Sequence, residues 1–126
     1  MNQKLAVVDT VDLLVVGGSA GAVACALAGR KQGGSVYLVA PASYLGDDIA
    51  AHFDYWLGEE DELRTELACQ LFPGGNGPSA TRPTPMHVKR TLEQAMVEAE
   101  VPFLLNARPA GVLRDDDGRI SGAVIA

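Results

Sequence analysis

The sequence predicts an α/β domain, built on a parallel sheet entered through a βαβ unit and followed by a β-hairpin. Three observations predict it. A short apolar run, Val11 to Val16, stops at Gly17-Gly18. From Ala20 the apolar residues change to helical spacing, and a second run of β-formers follows from Ser35 to Ala40. Strand, glycine turn, helix and strand within about thirty residues make a βαβ unit, whose crossover is right-handed.

Each element has its own signal. Val-Asp-Leu-Leu-Val-Val over 11–16 is a continuous apolar run and reads as a strand covered on both faces. Ala20, Val23, Ala24, Leu27 and Ala28 lie on one face of a helix. Ala22, Cys25 and Ala26 are also small, so this helix can approach neighbours closely, and Cys25 reads as packing. Arg30 and Lys31 suit its C-terminal carbonyls, and Gly33-Gly34 ends it. Pro41 to Gly58 has no clear period and reads as loop with a helical turn at most. The run Glu59-Glu60-Asp61-Glu62, followed by Leu63, Leu67 and Leu71, predicts a helix with carboxylates at its positive end. Pro73 to Pro78 is too glycine-rich for regular structure. Thr84-Pro85 reads as N-cap and first helical residue, with Val88, Leu92, Ala95, Met96 and Ala99 as the apolar stripe. Val101-Pro102 breaks that helix, and Phe103 to Leu105 reads as a short buried strand. Gly111 to Arg114, the turn Asp115 to Gly118, and Arg119 to Ile125 complete a hairpin. The sheet so assembled is incomplete, and we expect another chain or further sequence to finish it.

Composition narrows the function. The chain has 126 residues, ten Lys+Arg against sixteen Asp+Glu, and a formal charge of −6. With 48% hydrophobic and 21% charged residues it fits one globular domain. The acidic balance argues against a nucleic-acid partner, since no Lys/Arg stripe is present to displace counterions. Cys25 and Cys69 have neither disulfide-scaffold nor metal-ligand spacing and form no paired-thiol motif. Asp9 and Asp12 interrupt the N-terminal apolar stretch, so a signal peptide is not expected, nor is a membrane span. The expected compartment is the cytoplasm.

Gly17-Gly18-Ser19-Ala20-Gly21-Ala22 directly follows a strand and opens a helix, the context that makes a GxGxxG-type match credible. Gly17 allows the sharp turn, a small residue at position 19 lets the backbone approach a pyrophosphate, and a small residue at Ala22 permits close helix–strand packing. N–H groups at the helix start then bind the anion without Lys or Arg, so an acidic protein can hold a dinucleotide. Two departures stand out. Ser19 occupies the second glycine position, where its hydroxyl replaces a water on the phosphate or crowds it. Ala40 and Pro41 stand where a carboxylate usually meets the ribose hydroxyls.

With these residues in view, the segment from Asp12 to about Trp56 resembles the N-terminal FAD-binding region of the FAD-dependent oxidoreductase family, through the Gly-Gly-Ser turn and Tyr44-Leu45-Gly46 after the second strand. Thr84-Pro85-Met86-His87-Val88-Lys89, Val101 to Leu104 and Asp117-Gly118-Arg119 are similar to that family's middle region. The resemblance implies a Rossmann-like FAD-binding domain whose N-terminal part occupies 1–126. It divides into the βαβ unit (11–40), a loop and helix insertion (41–83), and a helix with a β-meander (84–126). It further implies FAD as cofactor, with Gly17, Gly18, Ser19, Ala20 and Gly21 at the pyrophosphate and Ala40 and Pro41 at the ribose. Gly46, Asp47 and Asp48 would run toward the pyrophosphate and isoalloxazine. The strand near Arg108 to Ala110 would meet the adenine, although Pro109 has no N–H to give. A second protein chain and a small-molecule substrate are the implied partners.

Remaining candidates are weaker. His52, with Tyr55 and Trp56, would border the flavin, as a proton carrier, a tuning group or an attachment point. A packed or surface histidine is the commoner case, and Tyr55 and Trp56 equally suit an interface. Asp47-Asp48 lacks further ligands for a metal and suits solvated loop charges or acceptors near the cofactor. Asp115 to Gly118 is explained by the hairpin turn, and His87 and Lys89 by surface placement. The expected activity is therefore a flavin-dependent oxidoreductase. A nicotinamide-dependent dehydrogenase domain and a non-catalytic assembly subunit of the same fold are the alternatives, the latter kept open by Ser19 and Ala40.

Overall fold

The computed structural model describes residues 4–126. Strand β1 (Leu13–Val16), helix α1 (Ala20–Lys31) and strand β2 (Val36–Val39) form the βαβ unit. β1 and β2 are parallel, in register from Leu13 opposite Val36 to Val16 opposite Val39. Three helices follow: α2 (Asp47–Ala50), α3 (Glu66–Leu71) and α4 (Pro85–Glu98). The chain then returns to the sheet as β3 (Phe103–Leu104), parallel to β2, so that β2 lies between β1 and β3. The strands β4 (Pro109–Arg114) and β5 (Ile120–Ile125) form a separate antiparallel pair.

Local chemistry sets the boundaries. Ser19 caps α1, its hydroxyl accepting from the Ala22 N–H at 3.0 Å. At the other end Gly33, at φ +88°, turns the chain so that the N–H groups of Gly33 and Gly34 reach the Arg30 and Gly29 carbonyls. Thr84 caps α4 by accepting from His87 N–H at 3.1 Å, with Pro85 in the first turn as expected. The core lies where α1 and α4 meet the sheet: Val23, Leu38, Leu45, Val88, Leu92 and Met96 are each 0% exposed.

Four expectations are corrected. The buried face of α1 is Val23 and Ala26, with Ala22 and Leu27 half-buried, while Ala24, Cys25 and Ala28 are exposed. Nearly every residue there is small and apolar, so spacing alone cannot select a face; the close contact does. A Cβ on Gly29 would stand 2.6 Å from Leu13 Cδ2 and 3.3 Å from Val36 Cγ2, so the helix turns its glycine to the strands. The carboxylate run 59–62 lies before α3, not in it, because the Thr65 hydroxyl takes the Ala68 N–H at 3.1 Å and starts the helix there. Among the described residues β1 is not covered on both faces, since Val15 is buried while Val16 is 49% exposed, and it pairs on one side only, with β2. β3 is likewise an edge, with Leu104 42% exposed instead of buried.

Candidate functional site: the mouth of the first crossover

The turn between β1 and α1 is built from backbone. Gly17, at φ +138°, donates its N–H to the Val39 carbonyl at 2.8 Å, which ties the turn to the end of β2. Gly18 is buried, and a Cβ there would meet the Ala40 methyl at 2.9 Å. The Gly18 carbonyl in turn accepts from Gly46 N–H at 2.7 Å. That bond draws the Tyr44-Leu45-Gly46 segment across the turn, with the Leu45 side chain fully buried beneath it.

Gly46 then redirects the chain. It sits at φ +85°, with Leu92 Cδ1 and Val88 Cγ1 occupying the space of a Cβ at 2.6 and 3.0 Å. Its carbonyl accepts the N–H groups of Ile49 and Ala50, and α2 starts from it. The outcome is that Asp48 faces the start of α1. Its two carboxylate oxygens accept from Ala20 N–H at 3.0 and 3.1 Å. A carboxylate at this place complements the positive end of a helix. Among the described residues, the N–H groups of Ser19 and Gly21 meet no protein acceptor. A Cβ on Gly21 would find only Ser19 Oγ within 4 Å, so this side of the mouth is open to an approaching group.

The structure therefore brings Gly17, Gly18, Ser19, Ala20 and Gly21 together with Gly46, Asp47 and Asp48. The Ser19 hydroxyl caps the helix, accepting from Ala22 N–H at 3.0 Å. Ala40 is fully buried, its N–H donating to Leu104 O at 2.9 Å and its carbonyl accepting from Ala107 N–H at 3.1 Å; Pro41 beside it is exposed. Pro109 opens β4 on the exposed hairpin, two residues after Ala107.

The aromatic segment disperses. His52 lies exposed in the turn after α2, and no hydrogen bond among the described residues holds its ring. Tyr55 donates its hydroxyl to Ala50 O at 3.1 Å and packs at the edge of the core. Trp56 is 54% exposed, with the Arg82 guanidinium 4.0 Å above its ring. His87 Nε2 meets Gln70 O at 2.7 Å and ties α3 to α4. Sequence reasoning missed that Lys89, expected at the surface, is half-buried, with its ammonium 3.7 Å from the Tyr44 ring centroid on the segment leading into Gly46. It also missed that Asp48 serves α1. No local signal carries the latter contact, which spans 28 positions and depends on the left-handed turn at Gly46.

A parallel βαβ unit with a glycine turn that presents helix-start N–H groups to an oxyanion defines a Rossmann-type dinucleotide-binding domain. The comparisons with known proteins give its family. The profile described as "FAD dependent oxidoreductase" matches residues 12–126, and the chain belongs to that family. No curated protein matches the chain. Among solved structures it is similar to THI4 of Thermovibrio ammonificans, with TM-score 0.68 and 18% identity, covering 93% of this chain and 48% of that one. It is also similar to a flavocytochrome c3 fumarate reductase in its open conformation (TM-score 0.58, 20% identity, 94% and 30% covered). A third is a geranylgeranyl bacteriochlorophyll reductase-like protein of Thermoplasma acidophilum (TM-score 0.56, 18% identity, 93% and 35% covered). The chain thus spans less than half the length of each of these proteins. Among the described residues, no helix is long and apolar enough to cross a membrane.

Proposed function

We propose that this chain is the FAD-binding part of a flavin-dependent oxidoreductase acting on a small organic substrate, with a second protein chain completing the fold. The observation that carries the reading is the oxyanion already received by the mouth: a carboxylate sits on Ala20 N–H, and the adjacent Ser19 and Gly21 N–H groups meet no protein acceptor among the described residues. The glycines fit the role as well, since a side chain at Gly18 would collide with Ala40 and close the approach.

FAD, when bound, would supply the two-electron chemistry, accepting a hydride or an electron pair from the substrate and passing it to an acceptor. The residues of the chain bind and orient. Ser19, Ala20 and Gly21 offer backbone N–H groups to the diphosphate, and Gly17 and Gly18 hold the loop close enough for contact. Gly46, Asp47 and Asp48 flank the same diphosphate on the way toward the flavin ring. Ala40 and Pro41 mark the ribose end and Pro109 the adenine end, where a proline offers no N–H. His52, exposed after α2, is the weak candidate for proton transfer.

The second chain is supported by what the fold leaves uncovered: the free edge of β1, and Val112, Leu113 and Ile120 on the hairpin at 57%, 46% and 70% exposure. Free thiols at exposed Cys25 and Cys69 suit a reducing compartment such as the cytoplasm. A second reading, a non-catalytic assembly subunit of the same fold, is favoured by one feature, the absence of a carboxylate at Ala40. The test is to purify the protein with whatever chain accompanies it and release its ligand by denaturation. Flavin absorbance in the released fraction, or uptake of added FAD with quenching of flavin fluorescence, is expected. Failure of both, with the protein folded, sinks the reading in favour of the assembly subunit.

A further inference from the structure

We infer that Asp48 is a built-in competitor for the dinucleotide: its carboxylate holds the anion position at the start of α1, and a diphosphate must displace it to bind. This rests on the FAD reading above and adds to it which residue sets the affinity. Three observations place Asp48 in that role. Both carboxylate oxygens lie on Ala20 N–H, at 3.0 and 3.1 Å, where a phosphate oxygen would lie. Asp48 caps nothing in its own helix, because α2 has Gly46 as N-cap and no side-chain cap bond. Finally, no Lys or Arg forms an ion pair with it among the described residues, so nothing local offsets its charge against an incoming diphosphate.

The geometry also supplies the way out. The Gly46 bond to Gly18 O and the Leu92 and Val88 packing fix the backbone of the segment, but Asp48 itself is exposed. Rotation of its side chain into water frees Ala20 N–H without moving α2. The device is therefore a side-chain latch: closed, it satisfies the helix end in the absence of ligand; open, it leaves like charges facing each other across the mouth.

The experiment titrates FAD, by quenching of flavin fluorescence, into the protein purified with whatever chain accompanies it and into its Asp48→Asn and Asp48→Ala variants, and records thermal melting of each without ligand. Asn keeps an oxygen for Ala20 N–H and removes the charge; Ala removes both. The expected result is a gain in FAD affinity of about two- to fivefold for Asn, the scale of one exposed charge at a helix terminus. The gap to wild type should shrink as salt is raised. Without ligand, both variants should melt below wild type, Ala lowest, since the latch stabilises α1. Equal affinity in all forms overturns the inference and leaves the FAD reading standing. Weaker binding by the variants also overturns it, because Asp48 then holds the ligand instead of opposing it. No binding by any folded form fails the FAD reading itself and removes the competitor role with it.

Discussion

The βαβ half and the hairpin half of this chain both form the elements that their sequence patterns predict, and they end in opposite environments. In the first, α1 and α4 seal one another and the strands, and Val23, Leu38, Leu92 and Met96 are wholly buried. In the second, a well-formed turn closes the pair: Asp115 Oδ1 accepts from Asp117 N–H at 3.0 Å and Arg119 N–H at 2.8 Å, with Gly118 at φ +78°. Yet Val112 and Ile120 stay 57% and 70% exposed. Pattern and turn chemistry decide that a strand forms; only a covering element decides that it contributes to stability. The mouth of the first crossover belongs to the sealed half, so its N–H groups are held on rigid backbone.

The largest expected effects lie where that half is tightest. Gly46→Ala places a methyl 2.6 Å from Leu92 Cδ1 and 3.0 Å from Val88 Cγ1 at a left-handed φ of +85°, against two core residues that are fully buried. Backbone strain and overpacking together should cost roughly 3 kcal/mol or more in chemical denaturation. Melting unchanged from wild type would show that the segment over the mouth is not clamped by α4. Leu92→Ala empties the same contact from the other side and should cost about 2–5 kcal/mol. Ser19→Ala removes the cap of α1 and should cost about 1 kcal/mol. It should also leave Ala22 N–H unsatisfied at the mouth, so a loss much larger than that would mean the hydroxyl does more than cap.

How much of this was legible follows from which interactions are local. The glycine turn, the Thr84-Pro85 start of α4 and the Asp-Asp-Asp-Gly hairpin turn are written in neighbouring residues, and each element stands where they place it. The face of α1 was not legible, because a run of alanines has no apolar stripe to read and the sheet chooses through Gly29. The start of α3 departs from the expectation because the acids of 59–62 look like a helix N-terminus, whereas a single hydroxyl, that of Thr65, decides the boundary. At the site, the family resemblance implies Asp47 and Asp48 near the diphosphate, but not the direction of Asp48, which a left-handed glycine and a carbonyl from Gly18 impose.

A smaller effect tests the far end of β1. Asp12 Oδ2 accepts from Ser35 N–H at 2.8 Å and from the Ser35 hydroxyl at 2.8 Å. These bonds, the backbone one foremost, hold its carboxyl below the ordinary 3.8. A carboxyl with a lowered folded value stabilises fully above its unfolded value, and that contribution is lost as pH falls through the folded one. Asp12→Asn should therefore melt below wild type at neutral pH, and the two curves should converge in acid. A gap that persists unchanged at pH 2 would mean that charge is not what Asp12 contributes.

The smallest effect is the one that most sharpens the comparison. Ile120→Thr keeps a β-branched side chain on the hairpin while removing apolar surface that is 70% exposed. An exposed site of this kind should shift stability by no more than about 0.5 kcal/mol. The matching change in the sealed half, Val15→Thr, puts a hydroxyl where the side chain is only 8% exposed and should cost about 1–3 kcal/mol for the group left without a partner. Denaturation of the two variants side by side separates pattern from packing directly. If Ile120→Thr costs as much as Val15→Thr, the hairpin is already covered in solution, by a second copy or by the rest of the fold. In that case the apolar face is an interface in use, and the two halves differ only in what covers them.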